Sequence, residues 1–160
     1  MNLPKLGSVL PSMSRKRMPF SAKAEPFKGK TTDWDYPSDD ERLELFAQKS
    51  ETALGTLPER IVQVWLEQRN YQFIPQYTVS GAGARLDFLV IVGVPPGVAV
   101  RVMGNYFHTL EGRMASDASQ SLRLIAMGYR VCDLWELDCY SHVLSGDFFT
   151  WADEQLFLAA

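Results

Sequence analysis

The sequence predicts an α/β fold: a small mixed β-sheet, made of a three-stranded meander plus a crossover strand, flanked by helices. Three observations carry this. Strand-like stretches at Tyr71 to Val79, Arg85 to Val92 and Val98 to Met103 follow one another with only turn residues between them, the arrangement of a meander. A helical pattern over Asp117 to Met127 then leads into a fourth strand-like stretch, Tyr129 to Leu134, and a strand reached through a helix joins its neighbour in parallel. Two capping boxes ahead of the strands mark helices.

Taken in order, Ser38-Asp39-Asp40-Glu41 opens a short helix to about Lys49. Thr56-Leu57-Pro58-Glu59 opens a stronger one from Pro58 to about Arg69, with Ile61, Val64 and Trp65 on its inner face. Pro75 gives the first strand an edge position or a bulge, because proline cannot donate to a ladder. Ser80 to Gly83 is a turn, and Pro95-Pro96-Gly97 joins the second strand to the third. In the Asp117 to Met127 helix, Leu122, Ile125 and Ala126 are expected inward, Asp117 caps the start and Gly128 ends it. A terminal helix over Phe148 to Leu158 has Phe149, Ala152, Leu156 and Phe157 as its apolar residues. Trp65 and Trp135 read as core, and His142 has no partner identifiable from the sequence.

A chain of 160 residues with 46% hydrophobic and 12% aromatic content can build a folded core. No apolar run reaches the roughly 20 residues that span a bilayer, and Pro4, Pro11 and Pro19 interrupt any signal-peptide core. The expectation is an intracellular or virion protein with no membrane partner. Cys132 and Cys139 lack zinc or redox-pair spacing and read as reduced thiols. The net charge of −3 conceals a split: residues 1–30 hold seven basic side chains against one acidic, net +6, which leaves −9 on the remainder. Four regions follow: an extended basic arm over 1–36, a short helix and linker over 37–54, an α/β core over 55–140 and a C-terminal helix over 141–160. Leu3, Val9, Phe20, Phe27 and Trp34 supply more apolar anchors than a solvated tail needs, so the arm is expected to lie along a partner. Arg15, Lys16, Arg17, Lys23, Lys28 and Lys30 are its candidate contacts, either to nucleic-acid phosphates or to the acidic body of another subunit.

The chemistry concentrates between Ala84 and His108, where Asp87 enters one apolar strand and Arg101 lies inside the next. A charge within a buried strand is costly unless paired. Leu57-Pro58-Glu59, Gln76-Tyr77-Thr78-Val79, Arg85-Leu86-Asp87-Phe88-Leu89, Val98 to Gly104, His108, Asp117, Leu124 and Gly128-Tyr129-Arg130-Val131 together resemble the very-short-patch-repair (Vsr-like) branch of the PD-(D/E)xK nuclease superfamily. The likeness covers about Gly55 to Asp138. It implies a restriction-endonuclease-like core and Mg²⁺-dependent hydrolysis of DNA phosphodiesters, with Asp87 matching the central metal-binding aspartate, Glu59 the glutamate of the first helix, and His108 the histidine after the third strand. A bound divalent ion activates water and neutralises charge growing on the phosphate.

The third strand departs from that pattern. Active relatives carry an acidic residue where Arg101 stands, and an acid or lysine where Met103 stands. Alternation puts Arg101 and Met103 on one face, so a guanidinium and a thioether occupy places where metal ligands are needed. Arg101 is therefore expected to replace the metal's charge, paired with Asp87 and with Glu59, and no cofactor is expected. Each residue also has a plainer reading. Glu59 completes a capping box, Asp87 pairs with Arg85 or Arg101 for structural reasons, and His108 packs beside Tyr106 and Phe107. The function expected is that of a catalytically inactive nuclease-fold protein, a structural or accessory subunit of a nucleoprotein assembly, a phage virion among the options, held to other subunits by its arm. The alternative is an active Mg²⁺-dependent endonuclease using Asp87, Glu59 and His108.

Overall fold

Ser38 starts the first helix as its spacing predicts: its hydroxyl accepts from Glu41 N–H at 3.3 Å while the Glu41 carboxylate accepts from Ser38 N–H at 2.7 Å. The computed structural model describes residues 37–104 and 111–159, with the side chains of 111–114 outside that description. The basic arm, with Arg15, Lys16, Arg17, Lys23, Lys28 and Lys30, and His108 lie outside the described residues. Helix α1 spans Asp39–Ala47 and α2 spans Leu57–Gln68. Ile61, Val64 and Trp65 of α2 are fully buried, as the helical spacing predicts.

The described residues form a mixed α/β fold with five α-helices and a small mixed sheet. The main sheet has the order β1-β4-β5-β6, from Phe73–Pro75, Phe88–Val90, Val98–Met103 and Arg130–Trp135. β1 and β5 run antiparallel to β4, and β6 runs parallel to β5 after the crossover helix α3, Glu111–Ala126. The first two predicted strands are each shorter than the sequence suggests. Pro75 ends β1, Gln76 turns the chain with a φ of +52°, and β2 (Thr78–Val79) and β3 (Ala84–Arg85) pair as a hairpin of their own. At the β4–β5 turn Gly97 sits at φ +111°, and a Cβ there would lie 2.5 Å from the Val90 carbonyl oxygen, so only glycine fits.

One face of the sheet packs Phe88, Val100 and Leu134 against α1, α2, α4 (Glu136–Ser145) and α5 (Phe148–Ala159). The other face packs Leu89 and Ala99 with Leu86 and with Leu124 of α3. α4 was not expected: it follows β6 directly, and its Trp135 N-cap offers no capping side chain. Three further expectations fail. Asp117 does not cap α3, because the helix begins at Glu111. Leu122 and Ile125 are 68% and 57% exposed and Ala126 is exposed too, while Leu124 is buried. The side of the helix toward the sheet carries Leu124, packed with Leu86, Leu89 and Ala99, and Ser121, which accepts from Arg101. Trp135, read as core, is exposed at the end of β6. Among the described residues no helix is long and apolar enough to cross a membrane.

Candidate functional site

Asp87 lies where the chain passes from β3 to β4. Phe88 pairs with Val100, and beyond that register the Val102 N–H donates to Asp87 Oδ2 at 2.6 Å. The carboxylate thus takes up a β5 donor past the end of the paired strand. Burial pushes the Asp87 carboxyl up to about 6; the Val102 N–H opposes this, the Glu59 carboxylate raises it by charge and by a hydrogen bond, and the charge of Arg101 opposes it weakly. Glu59 and Asp87, matched to one site by the resemblance, are therefore brought together.

Glu59 is held from the other side as well. Thr56 N–H donates to Glu59 Oε2 at 2.9 Å, the helix-start contact of the plainer reading. This position depends on Gly55, whose φ is +105° and where a Cβ would stand 1.9 Å from Glu59 Oε2. Beside it lies a cavity of about 310 Å³ lined by Leu54, Gly55, Glu59, Gln76 and Arg85.

Arg101 does not grip Asp87. Its guanidinium donates from Nε to Asp133 Oδ1 at 2.7 Å and from Nη2 to Asp133 Oδ2 at 2.6 Å, a fork closed on a carboxylate. Nη2 also donates to Ser121 Oγ at 2.7 Å, and Ser121 Oγ donates to the Asp117 carbonyl at 2.9 Å. The Arg101 side chain is 7% exposed and that of Asp133 33%. Arg101 and Asp133 are direct neighbours in the parallel β5–β6 register, which fixes the pairing. Met103 shares the α3-facing side with Arg101, and a cavity of about 170 Å³ is lined by both together with Asp117, Ala118, Ser121, Asp133 and Trp135.

Asp133 and Ser121 were missed from the sequence. A signal existed: Asp133 is the lone acid in its strand and Arg101 the lone base in the adjacent one. Pairing them requires knowing that β6 lies parallel to β5 and in which register.

Among the described residues the fit to a divalent metal is partial: Asp87 and Glu59 converge, as two carboxylates of such a site would. The adjacent strand offers a guanidinium and a thioether in place of oxygen ligands. Among the described residues no three His, Cys, Asp or Glu side chains gather as a metal site requires. Cys132 and Cys139 are buried free thiols whose pKa values burial pushes up to about 12, far from a reactive thiolate. Compared with protein-family models, with curated proteins and with solved structures, the chain matches none.

Proposed function

We propose that the chain is a nuclease-like, restriction-endonuclease-like fold that has lost catalysis and serves as a structural or accessory subunit of a nucleoprotein assembly. The observation that carries this is the Arg101–Asp133 fork, which fixes a buried positive charge on the strand that supplies metal ligands in the family the sequence resembles. The Glu59–Asp87 pair favours a second reading, an active metal-dependent endonuclease, since two carboxylates do meet there.

The acidic body repels nucleic acid, so contact with phosphates is assigned to residues 1–36, whose first 30 residues carry net +6. Binding of double-stranded DNA or RNA is measured at low and moderate salt for the full chain and for a chain lacking residues 1–36. Salt-sensitive binding by the full chain that disappears on truncation supports the nucleoprotein role. Binding retained by the truncated chain contradicts it, and no binding by either identifies a protein-only subunit.

A further inference from the structure

Between helix α2 and the edge strand β1 the fold leaves a cavity of about 360 Å³, walled entirely by described residues. Gln63 and Glu67 stand four apart on α2 and so share a face of it. Phe73 and Pro75 alternate onto one side of β1, and Phe88 of β4 lies opposite Pro75. The Phe73 and Phe88 rings meet edge to face with centres 5.7 Å apart. The cavity therefore has an aromatic wall and a polar end.

The polar end is built to accept hydrogen bonds. Gln63 is 7% exposed, and its amide nitrogen donates to Thr52 Oγ1 at 3.1 Å and to Glu67 Oε1 at 2.8 Å. A carboxylate only accepts, which fixes the end of the amide that faces Glu67. The Gln63 amide oxygen accepts no bond among the described residues. The one side-chain polar atom among them that is sealed from solvent without a partner is Arg130 Nε, so the Gln63 oxygen opens onto the space it lines. Glu67 Oε1 also accepts from Thr52 Oγ1 at 2.9 Å, and the Ser50 side chain hydrogen-bonds the same carboxylate. All three donors are neutral, and no basic residue lines the cavity. An uncompensated carboxylate beside a free carbonyl oxygen calls for a ligand that is cationic, carries several N–H donors and lies flat on aromatic rings.

We propose that this cavity receives an arginine side chain presented by another protein subunit. The guanidinium donates to the Gln63 oxygen and the Glu67 carboxylate and rests on the Phe73–Phe88 wall, so charge-assisted hydrogen bonds and cation–π contact act together. The cavity stands at the small end of ligand pockets, which run from about 300 to 1,000 Å³, and has room for one long side chain rather than an extended cofactor. The −9 carried by residues 31–160 favours a basic protein partner over a nucleic acid. This gives a partner chemistry to the subunit role proposed above and rests on it. The test uses neither nucleic acid nor catalysis, so the two readings fail separately.

The test is a chemical-shift titration of the isotope-labelled full-length chain with N-acetyl-arginine methylamide, beside N-acetyl-lysine methylamide and guanosine. Capped arginine is expected to shift the Gln63 side-chain amide signals saturably. Capped lysine is expected to bind at least about tenfold more weakly, because an ammonium is compact and strongly hydrated and has no fork of donors. Glu67→Gln weakens capped arginine by at least about tenfold. Phe73→Leu keeps an apolar side chain, removes the ring and weakens binding several-fold, and the dispersion of each variant's own spectrum reports that it is folded. No saturable shift with capped arginine, equal binding of capped lysine, an affinity indifferent to both substitutions, or guanosine binding in arginine's place each overturns the proposal.

Discussion

Arg101 and Asp133 stand side by side on two parallel strands, and the guanidinium closes on the carboxylate with contacts of 2.7 and 2.6 Å. The two partners differ in burial, at 7% and 33% side-chain exposure, so the cost of losing either one is unequal. Asp133→Ala leaves a buried guanidinium without its carboxylate, at a cost of about 3 to 5 kcal/mol. Arg101→Ala leaves a carboxylate that water can reach, and it is expected to cost less. Urea denaturation of both variants checks the order; equal stability of Asp133→Ala and wild type is inconsistent with the pair.

Asp87 makes stability depend on pH. Its folded-state value, about 6, lies above the ordinary 3.8, so the folded state holds the proton more tightly than the unfolded chain does. The contribution is fully present below pH 3.8 and is lost as pH rises through about 6. Asp87→Asn keeps an acceptor for Val102 N–H and removes the titration. It is expected to flatten the wild-type decline between pH 4 and 7 and to be more stable at pH 8 by about 1 to 3 kcal/mol. Denaturation curves at stepped pH decide this, and parallel profiles for the two proteins count against the buried-carboxyl assignment.

Gly55 is coupled to Glu59 by space. Gly55→Ala places a methyl 1.9 Å from Glu59 Oε2 and strains a φ of +105°, so the bond to Thr56 N–H is lost and stability falls by about 1 to 2 kcal/mol. Glu59→Ala in the same chain removes the clash. The double variant should therefore lose less than the sum of the two single changes, and strict additivity in thermal melts contradicts the coupling.

At the α4–α5 junction the Ser145 hydroxyl and then His142 hold the Asp147 carboxyl below its usual range. A depressed carboxylate value contributes stability at neutral pH that is lost as pH falls through it. His142 stacks on Trp151 with ring centres 4.6 Å apart, so Trp151 lies beside this cluster. Tryptophan fluorescence during acid titration is expected to show a transition that Asp147→Asn diminishes; an unchanged titration removes Asp147 from the junction.

What the sequence made legible follows from local chemistry. The Ser38 box, the buried Ile61–Trp65 face and the parallel crossover into β6 rest on short-range rules, and they hold. The meeting of Glu59 with Asp87 came from the resemblance. Long-range polar geometry was illegible. Asp133 reaches Arg101 only through an inter-strand register, and the side of α3 that meets the sheet carries Ser121 and Leu124 rather than Leu122. The break at Pro75 and Gln76 was half visible: proline signalled an edge or bulge, but the positive φ of Gln76 has no signature as strong as a glycine's.

The central claim is the proposal that this nuclease-like fold has lost catalysis. The most direct measurement is nicking of supercoiled plasmid by the purified full-length chain with Mg²⁺ and, separately, Mn²⁺, beside an Asp87→Ala control. The account predicts intact plasmid with either ion for both proteins. Cleavage by wild type that disappears in Asp87→Ala would contradict it and establish the chain as an active nuclease.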